Sequence, residues 1–227
     1  MHGSPRFTVC WRAVSRAIIV NGLSLFLIGA DTGPATVVVG NFSQGDLRAW
    51  ETQRFKGDTE YVLDEVDGRT VLRAFSSGAA SGLVREIDVD LEATPILHWR
   101  WKIDNTLKDT DELSKSGDDY PARIYVIRRY RFQFWKTEAI NYVWSNGRPQ
   151  GTTWPNAYTT NSQMVAVRSG DRDRGQWREE QRNVRRDFAK LFDKDVTTIQ
   201  GVAIMTDTDN TGQTATAWYG DIWFTAD

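Results

Sequence analysis

Short apolar runs recur along this chain from residue 37 onward, about every ten residues, and turn residues separate them. The clearest run is Ile96–Ile103, in which Leu, Trp, Trp and Ile at the odd positions alternate with His98, Arg100 and Lys102. Successive side chains of a strand point to opposite faces, so one face of this run is apolar and the other is polar. Antiparallel sheets with one buried face have this pattern, and the sequence therefore predicts an all-β fold.

The predicted architecture is one antiparallel jelly-roll β-sandwich of the galactose-binding type, covering residues 37–227. Asp67 and Gly68 separate two strand-like runs and favour a tight hairpin turn. Between residues 184 and 192, apolar side chains fall at helical spacing and predict one short amphipathic helix. A single domain is expected, because the 227-residue chain shows no internal repeat and no linker.

Residues 1–30 have the pattern of a secretory signal peptide. Arg6, Arg12 and Arg16 precede an apolar run that ends in small residues at position 30. Cleavage there would remove three Arg and no acid, and would take the formal charge from −2 to −5. The alternative is an uncleaved membrane anchor, although the run is shorter than the roughly 20 residues that span a bilayer. After cleavage, the protein is expected to be periplasmic or secreted and not to span the membrane.

Cys10 is the only cysteine, and it lies inside the predicted signal peptide. The cleaved protein would contain no disulfide and no Cys-ligated metal, which suits an oxidising compartment. The 28 basic and 30 acidic residues nearly balance, so the chain has no net positive field that would attract the phosphates of nucleic acid. Nucleic acid is therefore not an expected partner.

Four sequence blocks, at residues 97–103, 118–123, 141–144 and 206–211, resemble in the same order those of a bacterial family known as domain of unknown function 3047. The resemblance covers about residues 37–227 and implies an exported protein, without supplying its chemistry. The segments at the two ends of this domain are also similar to the first and last strands of jelly-roll carbohydrate-binding modules. That second resemblance implies a sandwich fold and a sugar ligand.

A loop near the end of the chain is rich in oxygen ligands. In the run Asp207-Thr-Asp-Asn-Thr-Gly212, oxygen ligands stand at alternate positions and Gly stands at the sixth, as in the first half of an EF-hand loop. Trp218 stands where that loop requires its final Glu, so an EF-hand is excluded. Two interpretations remain: a calcium site formed by Asp207 and Asp209 and completed by carboxylates of another loop, or a turn whose side chains cap their own backbone.

A second acidic loop, residues 104–119, ends in Asp118 and Asp119. Loops of this length are often functional. Adjacent carboxylates on an extended chain point to different sides, so a catalytic pair would need one carboxylate from each acidic loop. The other interpretation is that these carboxylates form ion pairs with Arg100 or Arg123.

These features predict a non-catalytic domain that binds a carbohydrate or a cell-envelope polymer in the periplasm. Arg100 and Arg123 would donate to the ligand, and the acidic loops on the same surface would accept from its hydroxyls or hold calcium. The ring of Trp144 would stack on a sugar. A glycan hydrolase or lyase that uses carboxylates of both loops is the first alternative, and a structural domain that binds envelope proteins is the second. The predicted ligand-binding residues are Arg100, Asp118, Asp119, Arg123, Trp144, Asp207, Asp209 and Asn210, and the predicted metal ligands are Asp207 and Asp209.

Overall fold

The computed structural model describes residues 35–130 and 136–227. The predicted signal peptide, residues 1–30, lies outside the described residues. Within the described ranges, strands form two sheets that pack face to face, and a single α-helix accompanies them. The predicted all-β sandwich with one short helix is therefore confirmed. No helix in these ranges is both long enough and apolar enough to cross a bilayer.

Sheet 1 has the strand order β11-β6-β13-β4-β3, and β1 pairs with β13. Its pairs are antiparallel. The last strand, β13, is central and joins three neighbours, which brings the two ends of the domain together. The strands are β1 (Thr36–Gly40), β3 (Glu60–Val66), β4 (Arg69–Ser77), β6 (Ile96–Ile103), β11 (Arg178–Asn183) and β13 (Thr214–Thr225).

Sheet 2 has the order β2-β5-β12-β7-β8-β10-β9. Its strands pair antiparallel except for β8 and β10, which run parallel. The parallel pair arises because β9 carries the chain back before β10 inserts between β9 and β8. The strands are β2 (Glu51–Lys56), β5 (Ala80–Asp90), β7 (Ala122–Arg128), β8 (Glu138–Ser145), β9 (Thr153–Pro155), β10 (Ser162–Ser169) and β12 (Thr198–Asp207).

The helix α1 (Val184–Phe192) has the bounds that the helical spacing predicted. The side chain of Asn183 accepts a hydrogen bond from the backbone N–H of Arg186 and so caps the first turn. Val184 and Phe188 are fully buried and attach the helix to the core. The helix follows β11 directly, so its packing also holds that edge strand in place.

The centre of the core is aromatic and lies between β6 and β8. Trp99 meets Trp101 edge to face, with ring centroids 5.4 Å apart, and stacks on Tyr142 at the same distance. The predicted alternation of Ile96–Ile103 is confirmed, because its odd-numbered side chains are buried while the even-numbered ones are partly exposed. One face of β6 therefore points into the sandwich and the other points away from it.

Trp144 also belongs to this core. Its side chain is 0% exposed and lies 5.9 Å from the ring of Trp101. Its indole N–H donates to the carbonyl of Gly170, so the polar group is satisfied without water. The prediction that Trp144 stacks on a sugar is therefore wrong, because it lies on the inner face of β8.

Candidate functional site

The two acidic loops meet at one end of sheet 2. Strands β7 and β12 are antiparallel neighbours, with Arg123 opposite Met205. The loop that leads into β7 therefore lies beside the loop that leaves β12. This pairing brings Asp118 and Asp119 close to Asp207, and it places Asp118 and Asp207 within ion-pair distance of Arg123.

Arg123 and Asp207 form a buried ion pair. Nε of Arg123 donates to Oδ1 of Asp207 at 2.8 Å, and the second guanidinium nitrogen donates to Oδ2, so the pair is bidentate. Each residue is only 2% exposed. The guanidinium also lies over the Tyr120 ring, 4.4 Å from its centroid. Burial raises the pKa of the Asp207 carboxyl, and the charge of Arg123 opposes that rise.

Asp118 and Asp119 attach the two loops to each other and to the sheet. Asp119 is 0% exposed and accepts the backbone N–H of Thr211 at 2.7 Å and the side-chain amide of Asn210 at 2.9 Å. Asp118 accepts from the amide of Asn156 at 3.0 Å, and burial raises the pKa of its carboxyl. Asn210 thus acts as a donor to Asp119. These carboxylates hold the loops in place.

Asp119, Asp207 and Asp209 lie close enough together to hold a metal ion, since one carboxylate oxygen from each falls within 4.8 Å of the others. Calcium takes six to eight oxygen ligands in proteins. Both oxygens of Asp207 already accept from Arg123, and both oxygens of Asp119 accept N–H groups. Calcium would lie beside the positive charge of Arg123, which already pairs with Asp207, so the donor set fits an internally bonded network better than a calcium site.

We expect the unfolding temperature to stay the same, within about 1 °C, when calcium replaces EDTA in the buffer. The physical reason is that Arg123 already balances the charge of Asp207 and would repel a second cation. Thermal unfolding of the purified protein, followed by circular dichroism with magnesium as the control ion, measures this. A calcium-specific rise of several degrees that disappears in Asp209→Asn would show that the cluster binds the ion.

Arg100 does not join this cluster. It lies on β6 of sheet 1, between the buried Trp99 and Trp101, so its side chain points outward from that sheet. Arg123 lies on β7 between the buried Ala122 and Ile124 and points outward from sheet 2. The prediction that Arg100 and the acidic loops share one binding surface is therefore wrong, since the two outer faces are on opposite sides of the sandwich.

The outer face of sheet 1 carries rings and cations in alternation. The guanidinium of Arg100 lies 4.6 Å from the centroid of the Trp177 ring, and Nζ of Lys102 lies 4.6 Å from that of Trp218. Gly220 lets Arg100 lie flat, because a Cβ at that position would fall 2.4 Å from Nε of Arg100. Within the described residues, neither Arg100 nor Lys102 forms an ion pair with a carboxylate.

Trp223 and His98 extend this surface along the same two strands. Their rings stack with centroids 5.2 Å apart and planes 4° from parallel. Burial lowers the pKa of His98. Nε1 of Trp218 donates to Asp64 at 3.3 Å, which fixes the orientation of that ring. All these side chains are partly exposed. We call this surface the tryptophan face; its members are His98, Arg100, Lys102, Trp177, Trp218 and Trp223.

Sequence reasoning had missed the three tryptophans of this face. Trp218 and Trp223 are five positions apart, which in a regular strand places two side chains on opposite faces. The register of β13 against β6 shifts between Tyr219 and Ile222, and this bulge returns Trp223 to the outer face. The polar face of β6 could have indicated these tryptophans, because a side chain directly opposite an outward-facing residue on the neighbouring strand also faces outward.

The sequence comparison identifies one family. The family described as "Protein of unknown function (DUF3047)" matches residues 48–223. The chain belongs to the DUF3047 family. A comparison with curated proteins gives no match.

Several solved structures are similar to this DUF3047 member. A carbohydrate-binding module of the β-sandwich superfamily has a TM-score of 0.41 and 14% identity over 82% of the chain, which spans 61% of that structure. The CBM22-2 xylan-binding domain of Paenibacillus barcinonensis Xyn10C has a TM-score of 0.41 and 10% identity, with 83% and 98% of the two chains covered. The Emp47p carbohydrate recognition domain has a TM-score of 0.45 and 11% identity, with 87% and 99% covered. Residue roles do not follow from such likenesses.

Proposed function

We propose that this domain binds a carbohydrate or a cell-envelope polymer on the tryptophan face, without converting it chemically. One observation carries the proposal: three partly exposed tryptophans and two cations without carboxylate partners share the outer side of sheet 1 in the described chain. Tryptophan offers a large apolar ring with a polar N–H at its edge, a combination typical of binding surfaces. Sugar rings present apolar C–H faces and hydroxyls, which match rings and cations respectively.

The geometry of the face suits an extended ligand. Trp218 is paired directly with Lys102 on β6 and with Arg73 on β4, so these side chains form a row across the strands. Neighbouring strands lie about 4.8 Å apart, and a row that crosses three strands is therefore roughly 10 Å long. An extended ligand could therefore contact the rings of both Trp177 and Trp218.

The geometry favours binding over hydrolysis or lysis. A catalytic carboxylate must reach the substrate atom to or from which it moves a proton. Asp118, Asp119 and Asp207 are buried and hydrogen-bonded to protein groups, so a polymer could not reach them without opening both loops. Of the four candidate carboxylates in the two acidic loops, Asp209 alone is partly exposed.

We further propose that the protein acts in the periplasm or outside the cell. Two sequence features support export: the signal-peptide pattern of residues 1–30 and the absence of cysteine from residues 31–227. The polymers of the cell envelope are the ligands that such a location would offer.

A glycan array with bacterial envelope polysaccharides and peptidoglycan fragments tests the proposal. We expect the purified protein to bind at least one extended glycan and to release it intact, since Asp118, Asp119 and Asp207 are buried and bonded to protein groups. Mass spectrometry of the recovered glycan checks for cleavage. Failure to bind any glycan, combined with capture of a defined envelope protein, would instead support the structural role, for which Trp and Arg are equally suitable.

A further inference from the structure

A cavity of about 400 Å³ lies at one edge of the sandwich, apart from the tryptophan face. It lies where the edge strands of the two sheets, β2 and β3, approach each other. Thr52 on β2 is paired with the buried Leu83, so the two side chains point to the same side of sheet 2 and both line the cavity. The cavity therefore opens between the sheets.

The inner wall of the cavity is aromatic and fixed. Trp50 and Tyr61 line it, and the ring of Trp50 packs on Phe42 with centroids 5.6 Å apart. The hydroxyl of Tyr61 donates to the carbonyl of Ser81 at 2.7 Å. Thr59 is buried and donates to the carbonyl of Thr206 at 2.9 Å. These bonds hold the wall in one conformation, so a ligand would meet a preformed site.

The rim of the cavity offers hydrogen bonds of both kinds. Arg54 and Asp58 form an ion pair there, with side chains 67% and 61% exposed. Their charges cancel, so the rim favours a neutral ligand over a charged one. A guanidinium donates and a carboxylate accepts, and a hydroxyl group can meet both.

We propose that this cavity binds one neutral, polyhydroxylated unit of the size of a monosaccharide. Small-molecule sites in proteins have volumes of roughly 300–1,000 Å³, apolar walls and a few polar groups that set orientation. The cavity has this composition: its wall is aromatic, and the charges of the Arg54–Asp58 pair at its rim cancel. The inference goes beyond the polymer site and does not depend on it, since no residue is shared between them.

Nuclear magnetic resonance titration of the ¹⁵N-labelled full chain with glucose, galactose and N-acetylglucosamine tests this proposal. We expect millimolar sugar to shift the backbone amides of Thr52, Arg54 and Thr59. In Asp58→Ala, which removes an acceptor, we expect affinity to fall at least about fivefold. Asp88→Ala, which removes an exposed carboxylate from β5, is the matched control and should leave the affinity unchanged.

A second variant separates a lost contact from a misfolded protein. Thr52→Tyr places a larger side chain in the cavity from an exposed position on an edge strand, and it should abolish the shifts without changing the unfolding temperature. Unchanged affinity in Thr52→Tyr, or no amide shift with any of the three sugars, overturns the proposal. Polymer binding that persists in Thr52→Tyr would show that the tryptophan face acts independently.

Discussion

Replacement of Arg123 by leucine should lower the free energy of unfolding by about 3–5 kcal/mol. The guanidinium is the partner of Asp207, and both residues are 2% exposed. Removing it would leave a buried carboxylate that must either stay charged without a partner or take up a proton. Arg123 also donates to the carbonyl of Asp118 and lies over the Tyr120 ring, so the loop before β7 would lose its attachment.

Urea unfolding of the purified protein, followed by tryptophan fluorescence, measures this loss. The matched control is Arg48→Leu, since Arg48 pairs with Asp46 at 3.0 Å with its side chain 91% exposed. Its effect should be a small fraction of the Arg123→Leu effect, because water screens an exposed pair. Similar effects for the two variants would contradict a structural role for the buried pair.

A double-mutant cycle extends the test. Asp207→Leu removes the other partner, and the double variant Arg123→Leu with Asp207→Leu removes both charges. The double variant should be less destabilised than the sum of the two single variants, since neither charge remains buried alone. Additive effects would show that Arg123 and Asp207 act separately.

Alanine at Trp177 or at Trp218 should weaken binding of a captured glycan by about 2 kcal/mol each, which is about thirtyfold. Each ring contributes apolar area to the tryptophan face and is the surface on which a cation lies: Arg100 at Trp177 and Lys102 at Trp218. Loss of a ring would therefore remove a stacking surface and release the neighbouring cation. Isothermal titration calorimetry with the glycan identified on the array measures the change.

Phe55→Ala is the matched control, because Phe55 is a large side chain, 51% exposed, on β2 of the other sheet. It should leave glycan affinity unchanged. Thermal unfolding of all three variants checks that the sandwich is intact. Wild-type affinity in both Trp177→Ala and Trp218→Ala would show that the ligand binds elsewhere. A loss of glycan affinity in Phe55→Ala alone would place the ligand on sheet 2.

The position of the acidic cluster explains why carboxylates that resemble a calcium or catalytic site in sequence are hydrogen-bonded to protein groups in the structure. Asp119 and Asp207 end strands or loops where backbone N–H groups and one arginine are within reach. A carboxylate in such a place satisfies donors that would otherwise be buried without a partner. Sequence spacing alone does not separate this arrangement from a metal site, because both need the same oxygens.

The sequence by itself determined the local features: the alternation of Ile96–Ile103, the helix at 184–192 and the two-sheet architecture. Each depends on patterns that repeat within a few residues, namely a period of two for strands and 3.6 for helices. The proximity of the two acidic loops could also be predicted, since a chain of short strands and many turns brings loops together at the ends of its sheets.

The tertiary structure alone decided which side chains share a surface. Arg100 and Arg123 both alternate with buried neighbours, but β6 and β7 belong to different sheets, so their outward directions are opposite. The bulge in β13 likewise places Trp223 on the same face as Trp218 against the expected alternation. Strand pairing joins residues far apart in the chain, and a pattern of neighbours does not specify those partners.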